Sequence, residues 1–234
     1  DFEELPIDRL INRTRAYLKV QEGCQQFCTY CIIPYARGPL RSRSIESAIK
    51  EANKLVEAGF KELILTGIHL GAYGKDLSEN IDLADLCREI LEKTKIERLR
   101  LSSLESVEIS AELLNLMADN PRFCRHLHIP LQNGDDEILK LMNRPYTTAD
   151  FRHLIQKIRN KIPDIGITSD IMVGFPGETD THFANSLAFV EEMGFSGLHV
   201  FKYSPRKGTP ASKFPNQVPA PVKEKRSKAM LKLA

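Results

Sequence analysis

The sequence predicts an α/β fold, an open partial (βα)6 barrel with parallel strands, because strand-like and helix-like segments alternate along the chain. Short apolar, β-prone runs recur, and helical patterns separate most of them. The predicted strands are residues 17–21, 62–66, 98–102, 126–131, 166–173 and 198–203. These units fall short of the eight that close a full barrel. A doubly wound sheet is the alternative architecture.

The predicted helices have recognisable ends. Residues 45–58 carry apolar side chains on one helical face, and Gly59 is typical of the position after a helix. Gly194 repeats this pattern later in the chain. Ser110 and Thr148 are the predicted N-caps of two further helices, since their hydroxyls can accept the free amide protons of a first turn.

Composition places the chain among ordinary globular proteins. It has 234 residues, 42% of them hydrophobic, which is enough for the core of one large domain. Lys and Arg number 33 against 31 Asp and Glu, so any nucleic-acid contact has to be local. The sequence contains neither an apolar run of bilayer length nor a signal segment, so we expect a cytoplasmic protein without membrane contact.

The C-terminal part differs from the rest in its proline content. Residues 207–221 are expected to form an extended linker, since their prolines do not fit regular structure, and residues 222–234 have the pattern of an amphipathic helix. We therefore expect a barrel domain over residues 1–206. Residues 207–234 would be a Pro-rich linker and a truncated helix that lead to a further C-terminal domain.

Three of the five cysteines lie in one short segment directly after the first predicted strand. Cys24, Cys28 and Cys31 bring three soft ligands to one loop, which suits an iron–sulfur cluster or zinc. A structural zinc site needs four protein ligands. Cys87 lies on an apolar helical face and Cys124 precedes a strand, so both are interpreted as buried small residues. Zinc with a distant histidine remains the alternative.

Other polar residues carry weaker patterns. The six histidines form no pair with metal-ligand spacing, and no catalytic residue is assigned beyond the cysteines. Arg37, Arg41 and Arg43 crowd after the cysteine loop, where they are candidate contacts for RNA phosphates. A solvated basic surface is the alternative for these arginines.

Residues 20–38, VQEGCQQFCTYCIIPYARG, resemble the cluster loop of the radical S-adenosylmethionine (SAM) methylthiotransferases. Similar motifs extend over nearly the whole chain. They are LTG at 65–67, LQNG at 131–134, DIMVGFPGET at 170–179 and YSPRKGTP at 203–210. The segments GIHLGAYGKD at 67–76 and RGPLRSR at 37–43 most resemble the branch that modifies threonylcarbamoyladenosine (t6A) in tRNA.

The resemblance implies a [4Fe-4S] cluster on the three loop cysteines, with a fourth iron open to SAM. It also implies SAM contacts near the strand ends. Tyr30 would lie near the adenine, and Thr66 with Gly67 corresponds to the contact with the methionyl amino group. Ser103 and Glu105 are candidates for the ribose hydroxyls or the methionyl carboxylate. For Tyr30, Ser103 and Glu105, an ordinary solvated loop position is the alternative.

Three further positions follow the later strands. Gln132 is placed like Ser103 and Glu105, and Gly174 lies in a turn that resembles the adenine-side motif. Arg206 could bind a carboxylate or phosphate through its guanidinium. Turn formation for Gly174 and a rim salt bridge for Arg206 are the alternatives. The chain lacks the superfamily's common Gly-Gly-Glu, and the glycine, isoleucine and glutamate spacing of the adenine-side motif is not kept.

The implied reaction is methylthiolation of C2 of t6A at position 37, in the tRNA anticodon loop, after reductive cleavage of SAM to a 5′-deoxyadenosyl radical. An external electron donor is implied as well. The alternatives are a methylthiotransferase for isopentenyl-adenosine or a ribosomal-protein aspartate, and a non-catalytic zinc-binding RNA module. Members of the family also carry an N-terminal cluster domain and a small C-terminal RNA-binding domain. We therefore expect this chain to cleave SAM but to modify tRNA poorly.

Overall fold

The computed structural model describes residue 2 and residues 14–234. Its strands are β1 (Arg15–Glu22), β2 (Arg41–Ser42), β3 (Glu62–Gly67), β4 (Arg98–Leu101), β5 (His126–His128), β6 (Gly166–Val173) and β7 (Gly197–Lys202). Its helices are α1 (Ile33–Arg37), α2 (Ile45–Glu57), α3 (Leu83–Lys93), α4 (Ala111–Asp119), α5 (Asp136–Leu141), α6 (Thr148–Lys161), α7 (Asp180–Met193) and α8 (Ala220–Met230).

The long strands form a curled half-barrel. β1, β3 and β4 pair in parallel, as do β5, β6 and β7, and the short β2 adds an antiparallel edge to β1. Parallel bridges Leu99↔Phe123 and Ser103↔His128 join β4 to β5. The six parallel strands thus follow one another in chain order without the reversal of a doubly wound sheet. The predicted partial barrel is confirmed.

The two faces of the curled sheet have different environments. On β6, Ile167 and Ile171 are fully buried in the main hydrophobic core, which the helices cover. Asp170 and Met172 alternate with them and are only half-buried, so they lie on the opposite, inner face. The inner face of the half-barrel is therefore the face that remains open to a ligand.

The helix ends follow the predicted pattern with one exception. Gly59 (φ 92°) and Gly194 (φ 54°) take left-handed conformations after α2 and α7, and Ser110 Oγ accepts the Leu113 N–H at 3.1 Å. The predicted N-cap Thr148 is wrong by one residue. Thr147 caps α6, since it exchanges hydrogen bonds with Asp150 in a capping box. No helix within residues 14–234 has the length and apolar character of a membrane span.

The segment after residue 206 packs against the barrel. Residues Pro210–Lys213 form a short 3-10 turn, and the N–H of the buried Ala211 donates to the Thr29 carbonyl at 2.9 Å. The final helix begins at Ala220, two residues before its predicted start, and Met230 is buried in the main core. This segment therefore packs against the cysteine loop, because Ala211 is hydrogen-bonded to Thr29 of that loop.

Candidate metal centre

The cysteine loop leaves the carboxyl end of β1 through a turn that requires glycine. Gly23 has a φ of 73°, and a Cβ there would lie 1.8 Å from the Pro39 carbonyl oxygen. The Cys24 N–H donates to the Gly38 carbonyl at 3.2 Å, which closes the loop across α1. Since the carboxyl ends of parallel strands share one edge, the loop lies where the sequence predicts it.

Cys28 lies under a buried guanidinium. Arg144 Nη1 donates to the Cys28 Sγ at 3.2 Å, and the same side chain pairs with Glu105 and donates to the Tyr146 hydroxyl at 3.0 Å. Arg144 is only 8% exposed. Burial raises the pKa of the Cys28 thiol, and the charge of Arg144 opposes this shift. Arg144 therefore stabilises the thiolate form that metal binding requires.

Cys24 has a different partner. His69 Nδ1 lies 3.7 Å from the Cys24 Sγ, and His69 Nε2 lies 2.9 Å from a Glu108 carboxylate oxygen. Lys75 Nζ lies 2.7 Å from the other Glu108 oxygen. Burial opposes the charged form of His69, but the neighbouring Cys24 and Glu108 outweigh it and raise the pKa of His69 to about 9. An imidazolium therefore faces Cys24 at neutral pH.

The three cysteine sulfurs do not all lie within 4.8 Å of one another. Around a tetrahedral zinc ion, sulfur ligands at about 2.3 Å from the metal lie about 3.8 Å apart. Only one trio of donor atoms among the described residues lies within 4.8 Å of one another, and the cysteines do not form it. Burial raises the pKa of Cys31, as it does for Cys28. Metal binding at these thiols has to displace their protons.

The end of β3 packs against the end of β1, from which the cysteine loop leaves. The N–H of His69, which follows β3, donates to the Gln21 Oε1 at 2.7 Å, and a Cβ on Gly67 would meet that oxygen at 2.8 Å. Gln21 is fully buried. A close approach between two strand ends thus explains why residue 67 is glycine, and no local pattern predicts the role of Gln21.

The remaining predicted SAM residues divide between the loop and the rim. Tyr30 packs edge-to-face against Phe175 with ring centroids 6.4 Å apart, next to the Gly174 turn. Gln132 has a φ of 66° and bridges to β6, and Thr66 is the penultimate residue of β3. Ser103 is exposed beside β5, and Glu105 forms an ion pair with Arg144. Arg206 is exposed and forms no ion pair within the described part of the chain. Their roles toward SAM stay predictions.

The three candidate RNA contacts do not form one patch. Arg37 is exposed, and Arg41 lies beside it, donating to Glu22 and to the Arg37 carbonyl at 3.2 Å. Arg43 is only 4% exposed and donates to Ser47 Oγ at 2.9 Å. Two exposed aromatic rings to which the sequence analysis assigns no role, Phe27 of the cysteine loop and Tyr35 of α1, have centroids 5.7 Å apart.

The chain is similar in sequence to known proteins. The sequence profile of the radical SAM superfamily matches residues 18–190. The chain is 44% identical over its full length to the threonylcarbamoyladenosine tRNA methylthiotransferase MtaB of Bacillus subtilis (strain 168), of which it covers 52%. It is 43% identical over 98% of its length to a tRNA-2-methylthio-N(6)-dimethylallyladenosine synthase of Acetivibrio thermocellus, of which it covers 48%. The chain thus spans about half the length of these relatives.

Solved structures share the fold. The radical SAM methyltransferase TsrM of Kitasatospora setae superposes with a TM-score of 0.70 at 19% identity, covering 84% of this chain and 38% of that one. Coproporphyrinogen III oxidase of Escherichia coli gives a TM-score of 0.64 at 18% identity, covering 92% and 50%. At these identities the likeness concerns the fold alone, whereas the sequence profile covers most of the chain. The chain belongs to the radical SAM superfamily.

Proposed function

We propose that this chain is the catalytic core of a methylthiotransferase that modifies C2 of N6-threonylcarbamoyladenosine at position 37 of tRNA. The observation that carries the proposal is the cysteine loop. Three thiols in the spacing C-x3-C-x2-C lie at the carboxyl end of β1, and a buried arginine donates to Cys28. Of the two relatives described above, one is named a threonylcarbamoyladenosine tRNA methylthiotransferase and the other a tRNA-2-methylthio-N(6)-dimethylallyladenosine synthase.

Cys24, Cys28 and Cys31 would each hold one iron of a [4Fe-4S] cluster, which leaves the fourth iron for the amino and carboxylate groups of SAM. When bound, the cluster and SAM supply a 5′-deoxyadenosyl radical after reduction by an external electron donor. The chain's share is to orient these groups. Arg144 would hold charge at Cys28, and Glu105 keeps that arginine in place.

The strand ends would bind the rest of SAM. Their side chains and backbone groups line one edge of the half-barrel. They are Tyr30, Thr66, Gly67, Ser103, Glu105, Gln132 and Gly174, with Arg206 at the rim. A Cβ on Gly67 or Gly174 would clash with Gln21 or Lys223, so these two residues would contact SAM only through their backbone groups.

Anticodon-loop RNA would approach from the side of Arg37 and Arg41. Both arginines have solvent access, whereas Arg43 does not. Phe27 and Tyr35 offer exposed rings on which an unpaired base can stack. An adenosine in a loop also leaves its stack at little cost. The choice of the threonylcarbamoyl substrate rests on the motifs at 37–43 and 67–76.

Anaerobic reconstitution with iron and sulfide tests the core of the proposal. Reduction in the presence of SAM is expected to yield 5′-deoxyadenosine, and replacing any one of Cys24, Cys28 and Cys31 with Ala is expected to abolish it. Cys87→Ala is the matched control, since Cys87 is fully buried in α3. Stoichiometric zinc without acid-labile sulfide or 5′-deoxyadenosine would leave a zinc-binding RNA module instead.

The substrate requires a separate experiment. Deletion of the gene in its host, followed by mass spectrometry of tRNA nucleosides, is expected to remove the methylthio form of t6A and to leave that of isopentenyl-adenosine. The reverse pattern would assign the chain to the isopentenyl-adenosine branch. Unchanged tRNA nucleosides with an unmodified ribosomal-protein aspartate would point to the protein substrate.

A further inference from the structure

A second set of metal-ligating side chains lies on the inner face of the half-barrel. His128 on β5, Asp170 on β6 and His199 on β7 each bring one donor atom to within 4.8 Å of the others. His128 Nε2 and His199 Nδ1 both lie 3.1 Å from the same Asp170 oxygen, Oδ1. The three residues come from adjacent parallel strands, so the sheet itself holds them together.

The trio is built as ligand sets commonly are. The second ring nitrogen of His128, Nδ1, lies 2.8 Å from Thr168 Oγ1, which fixes the ring so that Nε2 faces Asp170. Metal-bound histidines almost always make such a second hydrogen bond. Burial works against the charged form of Asp170, but both histidines outweigh it and lower the pKa of Asp170. Asp170 is therefore a carboxylate at neutral pH.

The three side chains differ in their exposure to solvent. The side chains of His128 and Asp170 are 16% and 22% exposed, while that of His199 is 68% exposed. Two of the three side chains are thus anchored in the sheet, and the third faces solvent. Met172, two residues after Asp170 on the same face, packs with Tyr30 of the cysteine loop in a small apolar cluster. The trio therefore lies deeper along the same face as the cysteine loop.

We propose that His128, Asp170 and His199 bind one first-row divalent cation, Zn²⁺ or Fe²⁺, at a site separate from the cysteine loop. Donors about 2.1 Å from one ion lie about 3.0 to 3.4 Å apart, and the two measured separations of 3.1 Å fall in this range. Two imidazoles and a carboxylate suit these metals. Three protein ligands leave a coordination position open, so the ion can bind a carboxylate, hydroxyl or phosphate oxygen.

Zinc content of the cluster-loaded chain tests this site. The chain is reconstituted anaerobically, dialysed against Zn²⁺, and analysed for iron, sulfide and zinc. We expect about one zinc per chain in addition to the cluster iron. Asp170→Asn and His199→Ala should lose this zinc and keep their iron and sulfide, which shows that the fold is intact. Thr168→Val should weaken zinc binding about 10-fold, since it releases the second nitrogen of His128.

Two controls separate this site from the cysteine loop and from the surface. The Cys24→Ala/Cys28→Ala/Cys31→Ala variant should lose iron and retain the zinc. His153→Ala removes an exposed histidine of α6 and should change nothing. The proposal is overturned if the wild-type chain holds no stoichiometric zinc, if Asp170→Asn and His199→Ala keep it, or if only the cysteine variant loses it.

Discussion

Cys28 and Cys24 lie on the same short loop, but their cationic partners differ in whether the charge depends on pH. Cys28 is buried and faces Arg144, whose charge is permanent and whose side chain is 2% exposed. Cys24 is half-buried and faces His69, whose charge depends on Glu108 and on the solvent-exposed Lys75. Cys28 therefore faces a fixed charge in the protein body. Cys24 instead adjoins a series of titratable side chains, His69, Glu108 and Lys75, that reaches solvent.

The largest effect is expected on the Cys28 side. Arg144→Met removes the guanidinium and leaves the Glu105 carboxylate, 19% exposed, without its partner. Breaking a buried ion pair in this way costs about 3 kcal/mol in the free energy of unfolding. Denaturant unfolding of the chain measures this loss. The reduction potential of the reconstituted cluster should also fall, because a positive charge near a cysteine sulfur favours the reduced cluster.

A double variant shows whether the cost comes from the pair. Arg144→Met/Glu105→Gln should regain more than half of the lost stability, since no uncompensated charge remains. Its reduction potential should still be low, because the positive charge at Cys28 is absent in both variants. An Arg144→Met chain with wild-type stability and reduction potential would contradict the distinction between the surroundings of Cys28 and Cys24.

A smaller effect that depends on pH is expected on the Cys24 side. Burial raises the pKa of Glu108, but His69 and Lys75 outweigh it and lower the pKa below its ordinary value of 4.5. A lowered carboxylate pKa contributes stability that is present above the ordinary value and is lost as the pH falls through the folded value. Glu108→Gln should therefore cost about 1 to 2 kcal/mol at pH 7 and less in acid.

Urea unfolding of both chains between about pH 3 and 7 measures this dependence. The difference between wild type and Glu108→Gln should shrink toward the acid end of the range. Glu112→Gln is the matched control, an exposed carboxylate in the first turn of α4. A Glu108→Gln deficit that stays constant with pH would show that packing, and not charge, supports His69.

The partners of Cys28 and Cys24 also show how much of the site can be predicted from the sequence. The strand periodicity and the cysteine spacing are local, and they were enough to predict the half-barrel and the loop. Arg144 is 116 residues from Cys28 and His69 is 45 residues from Cys24, so only the folded sheet brings these partners together. The same holds for His128, Asp170 and His199, which share no spacing and meet because their strands are adjacent.

The end of one strand and the burial of one side chain also differ from what the sequence predicts. The fourth predicted strand covers residues 126–131, but the corresponding β5 ends at His128, because Pro130 has no N–H and cannot continue the ladder. Arg43 belongs to the same basic run as Arg37 and Arg41. Its N–H donates to the Val20 carbonyl at 2.8 Å, which turns its side chain under α2 toward Ser47 and Glu51. A charge count treats these arginines alike, but burial separates them.

The smallest effect is expected for RNA contact on the open side of the loop. Arg37 is exposed just before Gly38, the residue that holds Cys24 through its carbonyl. If Arg37 neutralises one phosphate of a single-stranded loop, Arg37→Ala lowers the slope of log affinity against log salt by about 0.7. Titration of an anticodon stem-loop RNA at several salt concentrations measures it. Lys157→Ala removes an equal charge from α6 and should leave the slope unchanged. Equal slopes for wild type and Arg37→Ala would mean that RNA does not approach from the Cys24 side.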